Sequence, residues 1–251
     1  MLKKRLIARL DIKGPNLIKS IRFEGLKVLG DPHDFAKRYY DQGIDEIIYV
    51  DTVATLYERV GIHSLLEKTV NNTFIPITAA GGIRSIKDVD SLLRSGADKV
   101  AINTAAVKNP TLISEVSNKF GSQCMVVSIE ACKQNNGSWE VYTDNGRERS
   151  GKDVIEWSKH VSSLGAGEIL LTSVDKDGTQ KGFDGDLINC VSTSVSIPVI
   201  ASGGFGQPND FALAIKEYNA DAVAVASSLH YGKYTIDEIK SYLDKNSVSV
   251  R

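Results

Sequence analysis

Apolar and polar positions alternate along the chain in one repeated pattern. Short runs rich in Val and Ile, typical of buried parallel strands, are each followed by a stretch with helical period. Because alternating strands and helices call for a parallel sheet covered by helices, this pattern predicts an α/β fold. The predicted strands lie at residues 4–11, 45–51, 74–79, 98–102, 124–130, 167–172, 197–202 and 221–226.

A helix is predicted after each strand. Proline just inside a helix start, as at Pro32 and Pro110, supports this assignment because proline is favoured in the first helical turn. The predicted helices begin after Asp31-Pro32, around Gly61, after Arg84-Ser85, near Asn109-Pro110, around Lys152, after Asp184, after Gln207-Pro208 and at Thr235. Alternation of this kind over 251 residues predicts a single (β/α)₈ TIM barrel domain over residues 1–251, with its active site at the C-terminal strand ends.

The two halves of the chain are similar to each other. FIPITAAGG at residues 74–82 matches SIPVIASGG at residues 196–204, and each segment ends in a Gly pair before a helical stretch. Further pairs are residues 97–104 with 220–227 and residues 43–50 with 165–172. Such a repeat predicts that the barrel is built from two duplicated half-barrels.

Two connections are longer than usual for this fold. Residues 12–30 contain Gly14, Pro15, Gly25 and Gly30, which favours a mobile lid over the C-terminal face. Residues 131–151 contain an alternating segment at 139–143 followed by Asp-Asn-Gly, which predicts a small hairpin.

Composition excludes several classes of function. The chain is 42% hydrophobic and 24% charged with a net charge of −1, so nucleic acid and membrane surfaces are not expected partners. No apolar run approaches the ~20 residues that span a bilayer. Arg9 and Asp11 interrupt the only signal-like start, so a cytoplasmic protein is expected. The 3 cysteines and 4 histidines lack metal-ligand spacing, so neither a metal nor another cofactor is expected.

Two carboxylates end strands at matching positions of the two halves. Asp11 closes the first predicted strand and Glu130 the fifth, so both are expected to face the barrel mouth. Opposed carboxylates in a partly buried cavity take different pKa values, one acting as general acid and the other as general base. The alternative is that either residue caps a helix or pairs with a nearby Lys or Arg.

The Gly pairs predict a pocket for a phosphate group in each half. Gly pairs expose backbone N–H groups, and the following helix N-termini direct their positive dipole ends at the same point. The predicted phosphate-binding residues are Gly81, Gly82, Asn103 and Thr104 in one half, and Gly203, Gly204, Ala226 and Ser227 in the other. The predicted substrate-binding residues at and after the sixth strand are Thr172, Asp177 and Gly178. The alternative is that the loop after this strand is only a solvated connection. Two pockets on one face indicate a small substrate with a phosphate at each end.

Charged residues recur at the opposite end of the strands. Arg5, Glu46, Lys99 and Glu168 each lie near a strand start. A ring of alternating charges at the bottom of a barrel usually serves stability, although it is also compatible with a passage through the barrel.

Several longer motifs resemble one known family. They are residues 10–13 (LDIK), 79–84 (AAGGIR), 96–103 (GADKVAIN), 120–124 (FGSQC), 165–173 (GAGEILLTS) and 197–204 (IPVIASGG). Over nearly its full length the chain resembles the cyclase subunit of imidazole glycerol phosphate synthase, the HisF family. The resemblance implies a (β/α)₈ barrel that works with a separate class I glutaminase (HisH-like) docked on its bottom face. Ammonia passes through the barrel to a bisphosphate ribonucleotide, where it closes an imidazole ring.

The resemblance also implies individual residue functions. Asp11 matches the first catalytic aspartate of the family, and Lys19 matches the lid lysine that contacts the substrate. Arg5, Glu46, Lys99 and Glu168 match a charged gate for ammonia, and Asp98 matches an interface residue that helps to activate the glutaminase.

Three features depart from the family. Glu130 replaces an aspartate, and a displacement of about 1 Å in a positioned carboxylate costs on the order of 10²-fold in rate. Arg9 replaces a small residue and is expected to pair with Glu130 or Asp11, which lowers the pKa of that carboxyl. The lid at residues 13–20 lacks the usual Asp-Gly-Arg.

These departures resemble a glycosyl amidation-associated branch. The alternative function is therefore a barrel that activates a glutaminase and conducts ammonia to a third, sugar-amidating enzyme, with little cyclase activity of its own. Asp11, Lys19 and the phosphate loops favour the synthase, whereas Glu130, Arg9 and the lid favour the divergent branch. A sugar-phosphate isomerase fits less well because the gate charges would have no purpose.

Overall fold

The structure is a computed structural model that describes residues 3–54 and 61–251. Its strands are β1 (Arg5–Lys13), β2 (Asn16–Ile21), β3 (Glu24–Gly30), β4 (Glu46–Asp51), β5 (Ile77–Ala80), β6 (Lys99–Ile102), β7 (Met125–Lys133), β8 (Trp139–Thr143), β9 (Glu148–Asp153), β10 (Glu168–Ser173), β11 (Val199–Ser202) and β12 (Ala222–Val225). Its helices are α1 (Pro32–Asp41), α2 (His63–Val70), α3 (Ile86–Arg94), α4 (Thr104–Lys108), α5 (Thr111–Phe120), α6 (Val154–Ser163), α7 (Gly185–Ser194), α8 (Pro208–Lys216), α9 (Ser227–His230) and α10 (Ile236–Lys245).

A closed parallel barrel forms the centre of the molecule. The order β1-β4-β5-β6-β7-β10-β11-β12 returns to β1, and all of these pairings are parallel. Helices follow the strands, so the predicted (β/α)₈ barrel is confirmed. None of the described helices combines the length and the apolar character needed to cross a bilayer.

Side chains alternate between the barrel interior and the helix layer. On β1, Ile7 belongs to the inner apolar cluster, whereas Leu6, Ala8 and Leu10 belong to the outer one. Since successive side chains on a strand point to opposite faces, Arg5, Arg9 and Asp11 share the inward face with Ile7. One strand therefore places charged groups at both ends of the barrel interior and an apolar layer between them.

The predicted elements differ from the structure mainly in three places. Strand β5 begins at Ile77 rather than at residue 74, because Pro76 has no N–H to donate and Phe74 is 79% exposed. The predicted mobile lid, residues 12–30, forms the antiparallel strands β2 and β3, of which β2 pairs with the end of β1. The short helices α4 and α9 were not predicted.

The second long connection has the predicted form. Strands β8 and β9 are antiparallel and extend the sheet from the end of β7. Trp139 fixes this hairpin to the barrel, because its Nε1 donates a hydrogen bond to Asp184 Oδ2 (2.9 Å) at the start of α7. The β8–β9 turn thereby lies over the C-terminal ends of the barrel strands.

Candidate active site at the barrel mouth

Asp11 lies at the centre of a buried ionic network. Arg9 Nε donates to Asp11 Oδ1 (2.9 Å), and Lys19 Nζ donates to Asp11 Oδ2 (3.3 Å). Lys19, carried by β2, also contacts Asp177 Oδ2 at 3.0 Å. Burial by itself would raise the pKa of Asp11, but the Arg9 and Lys19 charges outweigh it and hold this pKa at about 2. Asp11 is therefore a carboxylate at every physiological pH.

Glu130 has the opposite electrostatic setting. It is buried on β7, in the C-terminal half of the strand, and its Oε2 accepts a hydrogen bond from the backbone N–H of Gly146 (2.7 Å) in the β8–β9 turn. Burial raises the pKa of Glu130 to about 7, although the Arg9 charge and the Gly146 N–H act to lower it. The two carboxyl groups thus differ in pKa by several units, and such a difference is typical of sites that carry out general acid–base chemistry.

Arg9 pairs with Asp11 and not with Glu130. Both Arg9 and Asp11 project from the same face of β1, two residues apart, whereas Glu130 is held by Gly146. Of the two pairings expected for Arg9, the structure therefore has only the one that involves Asp11. The charge of Arg9 acts to lower the pKa of Glu130 although the two side chains form no ion pair.

A cavity of about 350 Å³ opens beside Glu130. We call it the N-half cavity. Its lining brings together the predicted residues Gly81, Gly82, Asn103, Thr104 and Glu130. Gly81 has a φ of +102°, and a Cβ there would collide with the backbone oxygen of Asp51, so only glycine fits this turn.

The second predicted pocket is much smaller. The C-half cavity has a volume of about 20 Å³ and is lined by Arg9, Asp177, Gly178, Ser202, Gly203, Gly204, Phe205, Ala224, Ala226 and Ser227. The sequence repeat predicted matched pockets, but the structure makes them unequal. Arg9 accounts for part of the difference, because its Nη1 donates to Thr172 Oγ1 (3.0 Å) and Ser202 Oγ (3.2 Å) at this side of the mouth.

Gly178 and Asp177 connect the C-half cavity to the lid. Asp177 accepts from Lys19, and its backbone oxygen accepts from the N–H of Arg22 (2.9 Å). A Cβ on Gly178 would collide with the backbone oxygen of Ser20, so the loop and the lid pack backbone to backbone. The alternative of a solvated loop does not hold for Asp177, which is 3% exposed.

His230 is neutral and forms a hydrogen bond with the backbone of β1. Burial lowers the pKa of His230 to about 4, against the raising effect of the Asp11 charge. Its Nε2 lies 3.0 Å from the backbone oxygen of Arg9, which only accepts, so Nε2 carries the proton. Its Nδ1 then accepts from the Tyr39 hydroxyl (2.7 Å). This chain of contacts fixes the backbone that presents Arg9.

The predicted charged residues at the bottom of the barrel are linked to one another by ion pairs. Arg5 Nη1 lies 3.0 Å from Glu46 Oε1, Arg5 Nη2 pairs with Glu168, and Lys99 Nζ contacts Glu46 (3.3 Å) and Glu168 (2.7 Å). We call these four residues the bottom ring. Asp98 directly precedes Lys99 of this ring and is exposed, and its Oδ2 accepts from the N–H of Ile77 (2.8 Å).

Several residues of the mouth were missed by the sequence analysis. Arg84 and Lys108 supply cations to the N-half cavity, and Asp144 and Asn145 line it from the β8–β9 turn. Arg84 follows the AAGGI motif directly, so its place beside a predicted phosphate loop was a usable signal. The turn residues carried no such signal. In the part of the chain that the structure describes, no group of His, Cys, Asp and Glu side chains has the arrangement of a metal site.

The fold and the mouth define a (β/α)₈-barrel enzyme whose site lies at the C-terminal ends of its strands. The chain belongs to the histidine biosynthesis protein family, whose model matches residues 5–235. It is 61% identical over 207 residues to the imidazole glycerol phosphate synthase subunit HisF of Legionella pneumophila, covering 82% of this chain and 98% of that protein. The imidazole glycerol phosphate synthase subunit HisF of Pyrococcus furiosus is 48% identical over 100% of this chain and 99% of that protein. The HisF subunit of Lactococcus lactis subsp. cremoris is 49% identical over 100% of this chain and 97% of that protein.

Proposed function

We propose that this protein is the cyclase subunit of an imidazole glycerol phosphate synthase. It would use ammonia to close an imidazole ring on a bisphosphate ribonucleotide at the barrel mouth. One observation supports this function most directly: two glycine-lined cavities lie at the mouth, and Glu130 and Arg9 face one each. The names of the relatives favour the synthase over the sugar-amidating alternative.

In this proposal the two carboxyl groups have different functions. Glu130 lines the N-half cavity and exchanges protons near neutral pH, as general acid–base chemistry requires. Asp11 stays ionised and stabilises positive charge that develops on the substrate. Lys19 contacts the substrate from the lid, after its bonds with Asp11 and Asp177 rearrange.

The two phosphates are assigned to the two glycine-lined cavities. The N-half cavity offers the loop at Gly81 and Gly82 with the cations Arg84 and Lys108, and the C-half cavity offers the loop at Gly203 and Gly204. Crystals grown with phosphate or sulfate are expected to hold an anion in at least one of them. Anions found only elsewhere, with these N–H groups bonded inside the protein, would count against both assignments.

The reaction itself is tested with free ammonium and the bisphosphate ribonucleotide. Formation of the aminoimidazole ribonucleotide by the isolated barrel is expected, and Glu130→Gln should lower kcat by on the order of 10²-fold or more. A barrel that binds the ribonucleotide without turnover, yet stimulates a glutaminase, would support the sugar-amidating alternative instead.

We further propose a separate class I glutaminase as partner, docked on the bottom face. The bottom ring lies between that face and the apolar layer of the interior, where ammonia would enter. The proposal places the complex in the cytoplasm, in keeping with the free cysteines Cys124, Cys132 and Cys190.

Asp98 allows a clean test of this partner. Asp98→Ala removes the acceptor for the Ile77 N–H as well as a charge, so it disturbs β5 and the surface together. Asp98→Asn keeps a carbonyl acceptor and removes only the charge. We expect Asp98→Asn to keep the melting temperature and to reduce stimulation of the glutaminase activity. Unchanged stimulation, or no association with any glutaminase from the same genome, would contradict the proposed interface.

A further inference from the structure

Arg9 enters the C-half cavity from the barrel interior with part of its guanidinium unused. The residue is 4% exposed. Its Nε binds Asp11, and its Nη1 binds the hydroxyls of Thr172 and Ser202. The remaining nitrogen, Nη2, has no hydrogen-bond partner among residues 3–54 and 61–251, and Arg9 is part of the cavity lining. A guanidinium nitrogen that has no protein partner and belongs to a cavity-lining residue can donate to an acceptor bound in that cavity.

The two cavities obtain positive charge in different ways. The N-half cavity has Arg84 and Lys108, the last residue of α4, in its lining. Among the described residues that line the C-half cavity, Arg9 is the only cation. An anion held by the Gly203 and Gly204 loop therefore meets the guanidinium of Arg9 in the cavity lining, and guanidinium binds phosphate oxygens through paired N–H groups.

The size of the cavity limits how the anion enters. About 20 Å³ is room for one water-sized group, so a single oxygen fits against the guanidinium while the rest of the anion lies at the rim. The side chain of Arg9 is held in place for this contact. The ring of Phe23 lies 5.7 Å from the guanidinium carbon, and Thr172 and Ser202 fix Nη1.

We propose that Arg9 is a direct ligand of a phosphate monoester, contacting one phosphoryl oxygen through Nη2 in the C-half cavity. This inference rests on the proposed function, because it adds a specificity-determining residue to a pocket already assigned to one of the two substrate phosphates. It also makes the bound phosphate and Asp11 share one guanidinium. Occupancy of the C-half cavity is thereby coupled electrostatically to the carboxylate at the centre of the site.

The experiment titrates inorganic phosphate into the isotopically labelled full chain and follows the backbone amide signals of Gly82, Gly203 and Gly204 by NMR. Arg9→Met should weaken the response of Gly203 and Gly204 by about tenfold or more, the usual value of a charge-assisted hydrogen bond. The Gly82 response should stay unchanged. Arg147→Met removes the same charge from an exposed turn residue at the mouth and should bind phosphate as the wild type does.

The outcomes separate this inference from the proposed function. If Gly203 and Gly204 of the wild type do not respond at all, the assignment of the C-half cavity fails. If they respond equally in the wild type and in Arg9→Met, only the inference about Arg9 fails. Should Arg9→Met not fold, Arg9→Lys decides, because a lysine cannot bind Asp11, both hydroxyls and a phosphate together. Weaker binding is expected for Arg9→Lys, and wild-type affinity would overturn the proposal.

Discussion

At the scale of single residues, the ion pair between Arg9 and Asp11 helps to set the pKa values of the two carboxyl groups at the mouth apart. Arg9 and Lys19 hold the pKa of Asp11 at about 2, and burial takes that of Glu130 to about 7. Sequence reasoning placed both carboxylates correctly at the mouth. It did not choose the partner of Arg9, although the i, i+2 spacing on one strand already favoured Asp11.

The raised pKa of Glu130 has a consequence for stability. Below its ordinary pKa of 4.5, Glu130 is protonated in the folded and the unfolded chain and has no effect. As pH rises to about 7, the unfolded chain loses this proton while the folded chain keeps it, so the folded state is progressively disfavoured. We expect the wild type to lose about 3 kcal/mol relative to Glu130→Gln over this range.

Urea unfolding of both proteins between pH 4 and 8 measures this difference directly. The Asp11 carboxylate contributes stability that is present above its ordinary pKa and is lost as pH falls toward about 2. Because both proteins contain Asp11, its contribution cancels in the comparison. A stability difference that does not change with pH would show that Glu130 is not held protonated.

At the scale of elements, two hairpin turns meet above the site. Phe23 in the β2–β3 turn packs against Gly146 in the β8–β9 turn, where a Cβ would collide with the Phe23 ring. Gly146 has a φ of +74°. Gly137, which lies between β7 and β8, has a φ of +87°, and no atom lies within 4 Å of the position that a Cβ would take there. Substitution of either glycine strains the backbone. At Gly146 the added Cβ also collides with the Phe23 ring, and the Gly146 N–H holds Glu130 Oε2.

Gly146→Ala should destabilise the protein by about 1–3 kcal/mol more than Gly137→Ala, because only the former overpacks a contact between elements. Chemical unfolding of the two variants gives the comparison. The double change Gly146→Ala with Phe23→Ala should cost less than the sum of the two single changes. Equal losses for Gly146→Ala and Gly137→Ala would mean that the two turns do not support each other.

The elements show where sequence reasoning succeeds and where it ends. Long apolar runs and capping residues such as Ser85 and Thr235 predicted the barrel strands and the main helices. Helices α4 and α9 are too short for a period to be visible. The glycines of residues 12–30 predict a mobile lid and give no sign of the antiparallel pairing of β2 with β1, in which Asp11 lies opposite Ile18. A contact between a turn and a barrel strand, such as that of Gly146 with Glu130, leaves no mark in a single sequence.

At the scale of the whole molecule, the bottom ring joins four separate strands. Arg5 and Lys99 lie between Glu46 and Glu168, and both glutamates are buried. Burial alone would raise the pKa of Glu168, but Arg5 and Lys99 outweigh it and lower this pKa. Removal of Arg5 leaves the two buried carboxylates with Lys99 as their shared cation and with the exposed Arg251 at 3.8 Å from Glu46 Oε1. This is far more costly than the loss of a surface pair.

Arg5→Met should therefore lower the free energy of unfolding by about 3–5 kcal/mol. Lys37→Met is the matched control, because it removes a cation from the exposed pair with Asp41 and should change stability by about 0.5 kcal/mol or less. Adding Glu168→Gln to Arg5→Met should restore part of the loss, since it removes the unpaired charge. If Arg5→Met lowers the free energy of unfolding no more than Lys37→Met does, the bottom ring does not stabilise the barrel. The four charges could then serve a passage through the barrel and rearrange without a loss of stability.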